Sequence, residues 1–218
     1  MHNLTWDANF AYCVGLLTSD GNLSPDGRHL KIVSKDLDLI NIFKNCLGID
    51  NKISLVSSGY SKGSDRKYYA VQFGNVKLYN FLKLIGLGPN KSKNIKGLYV
   101  PYKYFPDFLR GLIDGDGHIH YFKHPESKLL QLNLRVISGS FPFLKWLEKY
   151  INNHFGFNGK VRKVSRAYEL NYYKEDSKAI LKQLYYSSTV PCLKRKFEIA
   201  RLFLCEDGGT GIRASLRS

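Results

Sequence analysis

The nine residues Leu109-Arg110-Gly111-Leu112-Ile113-Asp114-Gly115-Asp116-Gly117 carry an apolar segment straight into two carboxylates, and Cys13-Val14-Gly15-Leu16-Leu17-Thr18-Ser19-Asp20-Gly21 repeats them in weaker form. In each copy the last acid, Asp20 or Asp116, is followed by Gly and preceded five residues earlier by Gly15 or Gly111. Such an echo constrains a fold when it heads two stretches that share an order of elements. These two do.

In the first stretch, Asn9 to Leu17 reads as a helix with Phe10, Cys13, Val14 and Leu17 on one face. Ala11, Gly15 and Ser19 form a small-residue stripe at i, i+4, i+8 that admits another backbone closely. After the turn Pro25-Asp26-Gly27, Arg28 to Ser34 reads as a strand, with only a short, uncertain strand between it and the helix. Ser34 is the expected N-cap of a helix whose apolar face is Leu37, Ile40, Phe43, Cys46 and Leu47 and which stops at Gly48. A hairpin of Lys52–Val56 and Lys67–Phe73 follows, then a helix from Val76 to Ile85.

The second stretch opens with Pro106 at a helix start and carries its own small stripe, Gly111 and Gly115. Strands are expected at 118–122 and 129–137, a helix beginning at Ser138, a hairpin of 160–166 and 168–173, and a helix at 177–185. A basic amphipathic helix from Leu193 to Phe203 is added at the end. The order is α-β-β-α-β-β-α twice, an α+β chain with a first repeat at 1–97, a second at 98–205 and a polar tail at 206–218 expected to be disordered.

Charge narrows the function. The chain carries 33 Lys and Arg against 18 Asp and Glu, a net +15, with +7 up to Lys103 and +8 beyond it. That favours a polyanion spread over the whole molecule, hence nucleic acid over a membrane surface. No apolar run is long enough to span a bilayer, and the N-terminus has no signal-peptide pattern. Cys13, Cys46, Cys192 and Cys205 make no CxxC pair and read as small buried hydrophobes of a reducing, intracellular compartment.

Asp20 and Asp116 close their helices, where the dipole disfavours a carboxylate by roughly 0.3–1 kcal/mol. If the small stripes pack the two helices together, both acids converge. Two convergent carboxylates call for a cation, and oxygen ligands suit Mg²⁺. With a basic surface around them, the reading is metal-assisted phosphodiester cleavage. His118, His120 and His124 follow the second motif on a strand, which favours a nucleic-acid-facing or structural role over metal binding.

Leu109 to Gly117 resembles the signature of the LAGLIDADG homing endonucleases, departing from it at Arg110 and Gly115. Cys13 to Gly21 resembles a diverged copy, departing at Cys13, Val14, Leu17, Thr18 and Ser19. The resemblance implies a pseudo-symmetric monomer with the motif helices, through Gly15, Ser19, Gly111 and Gly115, at the centre of a DNA-binding saddle of two antiparallel sheets. It implies site-specific cleavage of both strands of a duplex spanning roughly two turns, at about 10 base pairs each. It implies Asp20 and Asp116 as catalytic metal ligands, with the backbone carbonyls of Ser19 and Gly115, for Mg²⁺ with Mn²⁺ as an alternative and Ca²⁺ supporting binding without cleavage. A basic residue late in each repeat would assist at the scissile phosphate; Lys93 and Lys196 match by spacing, and Lys91 and Lys194 are rivals. Base readout is expected from Gln131, Asn133 and Arg135, and less strongly from Lys31, Gln72, Lys160 and Arg162, whose side chains suit base edges. Two alternatives share the scaffold: a maturase that binds its host intron RNA, and a DNA-binding regulator that does not cut.

Overall fold

The computed structural model describes residues 4–57, 67–123, 125–126 and 130–204; His124, Leu129, Cys205 and the 206–218 tail lie outside the described residues. The first half runs α1 (Ala8–Ser19), β1 (Gly21–Leu23), β2 (His29–Ser34), α2 (Leu37–Leu47), β3 (Ser54–Ser57), β4 (Lys67–Gly74), α3 (Val76–Leu84) and the single turn α4 (Lys91–Asn94). After a 3₁₀ turn at Tyr102–Tyr104, the second half runs α5 (Phe105–Asp116), β5 (Gly117–Lys123), β6 (Leu130–Ser138), α6 (Phe141–Phe155), β7 (Lys160–Val164), β8 (Ala167–Tyr173), α7 (Lys174–Leu184) and α8 (Lys194–Leu204). Each half contributes one four-stranded antiparallel sheet, ordered β1-β2-β4-β3 and β5-β6-β8-β7.

The two sheets meet through α1 and α5, the most extensive helix pair in the molecule. Their contact depends on missing side chains. A Cβ on Gly15 would lie 2.1 Å from the Phe108 carbonyl oxygen, and one on Gly111 would lie 2.1 Å from that of Tyr12. A Cβ on Gly115 would strike the Ser19 hydroxyl instead. Around this crossing α1 is apolar and buried on all sides, with Phe10 through Leu17 wholly enclosed except where Gly15 takes the partner backbone.

Strand alternation sets each sheet's inner and outer faces. Leu30, Ile32, Val71 and Phe73 face the helices in the first sheet, as do Ile119, Leu132, Leu134, Val136 and Leu170 in the second. Lys31, Gln72, Gln131, Asn133 and Arg135 fall on the opposite faces.

Ser34 is not the N-cap of α2. It is still paired in β2, its hydroxyl accepts the Asp36 N–H at 3.1 Å, and Asp36 takes the cap position. Ser138 does the same at the end of β6, with Ser140 capping α6. The α4 turn and the 3₁₀ turn are too short to leave a periodic signature. Cys13, Cys46 and Cys192 are free thiols. Among the described residues no helix is long and apolar enough to cross a membrane.

Arg110, a departure from the signature, is completely buried. It donates to the carbonyls of Pro191 (2.9 Å) and Leu184 (2.7 Å) and to Asp107 (2.7 Å), between the rings of Tyr12 and Tyr186. It thereby ties the segment leading into α8 to the motif helix α5.

Candidate functional site

Asp20 caps the C-terminus of α1 and Asp116 is the last residue of α5; each chain then enters the first strand of its sheet. Because the helices cross at glycine, their ends come together. A Cβ on Gly115 would lie 2.8 Å from Asp20 Oδ2, so the Asp20 carboxylate rests on the facing helix. Burial and then the charge of Asp116 push the Asp20 carboxyl up to about 7, against the pull of Lys91 and Lys196. Burial also raises Asp116 above the usual carboxylate range, opposed by the same two lysines. Both acids therefore sit where the two lysines only partly offset the cost of burying their ionised forms.

The lysines come from opposite halves. Lys196 Nζ shares its three N–H groups among the carbonyl oxygens of Ile113 (2.5 Å), Asp114 (2.9 Å), Gly115 (3.3 Å) and Gly117 (2.7 Å), covering the C-terminal end of α5, where Ile113 also accepts the Gly117 N–H. Burial pushes its ammonium down to about 8. Lys91 Nζ does the same for α1, donating to Thr18 (2.7 Å) and Ser19 (2.6 Å), and burial lowers it too. Spacing favoured Lys93; the structure puts Lys93 on the exposed side of α4, because residues two apart on a single helical turn point nearly opposite ways. Lys194 is likewise exposed, one half-turn from Lys196 on α8.

Asp114 stands apart from this pair. It is buried, with Oδ2 accepting from Tyr12 Oη and from the Leu193 N–H, both at 2.7 Å. Leu193 opens α8, so Asp114 holds the start of the helix that carries Lys196. Opposite it, Thr18 is turned back on its own helix, donating to the Val14 carbonyl at 2.8 Å.

Among the described residues no group of three or more His, Cys, Asp or Glu could hold a metal. What converges is two carboxylates and the carbonyls of Ser19 and Gly115, an all-oxygen donor set of the kind Mg²⁺, Mn²⁺ and Ca²⁺ take. Each of those carbonyls already accepts a lysine bond, which leaves a second lone pair. The residues fit a hard divalent cation. A cleft of about 410 Å³ opens beside them, lined in part by Ser19, Lys91, Leu112, Asp116 and Ser138.

The outer sheet faces flank this centre. Lys31 lies directly opposite Gln72 in the first sheet. In the second, one cross-strand row holds His118, Arg135, Asn171 and Lys160, and the next His120, Asn133 and Tyr173; Gln131 pairs with Phe122. His118 and His120 thus share the outer face and gather no further ligands. One residue in this region escaped the sequence reading. Glu169, paired in register with Arg162, bonds both that arginine and Arg135. Burial would raise its carboxyl, but hydrogen bonds from Arg162 and Asn171 win and hold it below its usual value. In sequence it is one polar residue in an alternating strand; only register reveals its partners.

No family model and no curated protein matches the sequence, but solved structures match the fold. Full-length DUF199/WhiA from Thermatoga maritima superposes with a TM-score of 0.59 at 13% identity, covering 98% of this chain and 66% of its own, so the chain spans just under two thirds of that protein. The LAGLIDADG homing endonuclease I-GzeII, in complex with its DNA target, gives 0.58 at 13% identity over 91% of this chain and 90% of its own. I-DmoI in complex with DNA and Ca gives 0.57 at 19% identity over 89% and 97%. The α+β architecture of two four-stranded antiparallel sheets around paired motif helices is the LAGLIDADG fold.

Proposed function

We propose that this chain is a site-specific, divalent-metal-dependent DNA endonuclease of the homing type, acting as a monomer on both strands of a long asymmetric duplex. The observation that carries the reading is the convergence of Asp20 and Asp116 at the ends of two helices that touch backbone to backbone, each end also gripped by a lysine. A fold that only bound DNA would gain nothing from two carboxylates held against their own repulsion. Similar structures solved with DNA, one of them also with Ca, support the partner and the class of ion.

Asp20 and Asp116, with the free lone pairs of the Ser19 and Gly115 carbonyls, would hold the cation. When bound, Mg²⁺ supplies Lewis-acid polarisation of the scissile phosphate and lowers the pKa of a coordinated water. The rest falls to the chain's own groups. The outer faces of the sheets hold the duplex through backbone and base contacts. Lys91 and Lys196 place one ammonium at each motif end, where phosphate charge would be neutralised on either strand. Asp20 gives up the proton it carries near neutral pH when a cation binds.

DNA binding without cleavage is a second reading, favoured by one observation: the Ser19 and Gly115 carbonyls are already covered by lysine ammoniums. Incubation with a randomised duplex library separates the two. In Mg²⁺ a cleaved population is expected, and in Ca²⁺ a bound but uncut one. Asp20→Asn and Asp116→Asn should each lower cleavage on the order of 10³-fold with specific affinity retained. Specific binding with no cleavage in Mg²⁺ or Mn²⁺ would establish the second reading, and preference for a structured intron RNA over any duplex would establish the maturase.

A further inference from the structure

Among the described residues, Glu169 is the only acid in the strands, which carry seven Lys and Arg. A carboxylate in the middle of a polyanion-binding face opposes binding, so its presence needs a reason. It cannot be direct base contact. Its side chain is only 3% exposed, and both oxygens are engaged: Oε1 by Arg162 Nε, Oε2 by Arg135 Nη1 at 3.5 Å. The arginines are different. Their side chains are 63% and 34% exposed, and the atoms each commits leave a two-donor edge open, Nη1/Nη2 on Arg162 and Nε/Nη2 on Arg135. Such an edge matches the O6 and N7 acceptors of guanine in the major groove.

The first sheet lacks the device. Strand pairing aligns Gly21–Ile32–Val71 with Gly117–Val136–Leu170, which sets Lys31 against Arg135, Ala70 against Glu169 and Ser54 against Arg162. Among the described residues no carboxylate is paired with Lys31. A free lysine is a point charge on a flexible stem that follows phosphates, whereas a clamped guanidinium presents donors at one place and in one plane.

We propose that Glu169 is a specificity-determining positioning residue, clamping Arg135 and Arg162 so that the C-terminal half reads guanines in its half of a duplex while the N-terminal half discriminates less. This rests on the DNA reading above. The test is selection of bound duplexes from a randomised library in Ca²⁺, with the full chain as wild type and as E169Q. In E169Q, guanine preference under the C-terminal sheet should fall about tenfold while preferences in the other half-site stay unchanged. Affinity for unrelated duplex should rise, and the salt dependence should steepen by about 0.9 for each arginine released to a phosphate. R135K and R162K, which keep the charge but lose the fork, should each erase preference at one position without that steepening; they carry the test alone if E169Q does not fold. An unchanged E169Q profile, or one weakened equally at every position, would overturn the assignment while leaving DNA binding intact. A wild type that enriches no duplex would overturn the DNA reading and this inference with it.

Discussion

In the C-terminal half, the lysine at the motif end rides an 11-residue helix, reaches four carbonyls, and sits on a helix fixed by Asp114 at Leu193 and by Arg195 on Asp36 of the other half. In the N-terminal half, the corresponding lysine stands on a single four-residue turn and reaches two carbonyls. The same asymmetry recurs on the sheets, where an acid and two arginines face an alanine, a serine and a lysine. The repeats hold the same groups at the same places by unequal means. Pseudo-symmetry is strict at the helix crossing, where backbone meets backbone, and relaxes outward from it.

The strict part should give the largest effects, equal on both sides. Gly15→Ala and Gly111→Ala each put a Cβ 2.1 Å from a backbone carbonyl that cannot turn aside. Each should cost about 3 kcal/mol or more in urea denaturation, the upper range for overpacking. Unequal losses would mean that the crossing is less symmetric than its contacts. Gly115→Ala, whose clash is with the Ser19 hydroxyl, should cost less, because a side chain can rotate.

The lysines should break the symmetry. Lys196→Met removes a buried charge, a gain, but takes the ammonium away from the buried carbonyls at the end of α5, and the second term is larger. A loss of about 2 kcal/mol is expected, with about half of that for Lys91→Met. Equal values would remove the distinction between a helix-borne and a turn-borne lysine.

The next effect depends on pH. A carboxyl raised in the folded protein binds its proton more tightly there than when unfolded, so cation-free stability should fall as pH rises from about 4 through about 7. Lys196 has the opposite sense: lowered to about 8, it lets stability recover as pH rises above that value. For the same reason Ca²⁺ affinity should weaken toward tenfold per pH unit below about 7, as the cation displaces one proton. Calorimetric titration across pH 5.5–8 measures this, and Asp20→Asn should flatten the profile.

Much of this fold could be read without coordinates because its signals are local. The Gly15/Ser19 and Gly111/Gly115 stripes lie on single helices, and the alternation of Gln131, Asn133 and Arg135 lies on one strand. Register was the missing information elsewhere. Glu169 matters because β7 and β6 place arginines on either side of it, and neither distance exists in the sequence. The choice of Lys91 over Lys93 depended on a turn too short to have a period. Ser34 and Ser138 misled as caps because a serine hydroxyl that accepts the N–H two residues on looks, in sequence, like one that caps a helix.

The smallest effect is expected at the acid that looks most like a second catalytic group. Asp114 is buried, and burial raises its carboxyl despite hydrogen bonds from Tyr12 and Leu193. Its Oδ1 has no hydrogen-bond partner, so an amide NH₂ placed there would displace no existing bond. Asp114→Asn keeps an oxygen for both donors and removes a charge that burial opposes. Stability should change by about 1 kcal/mol or less, and cleavage by only a few-fold, since Thr18 holds the matching place in the other half with no acid at all. A loss as deep as that of Asp116→Asn would make Asp114 part of the reacting centre, and the halves would then differ in chemistry as well as in support.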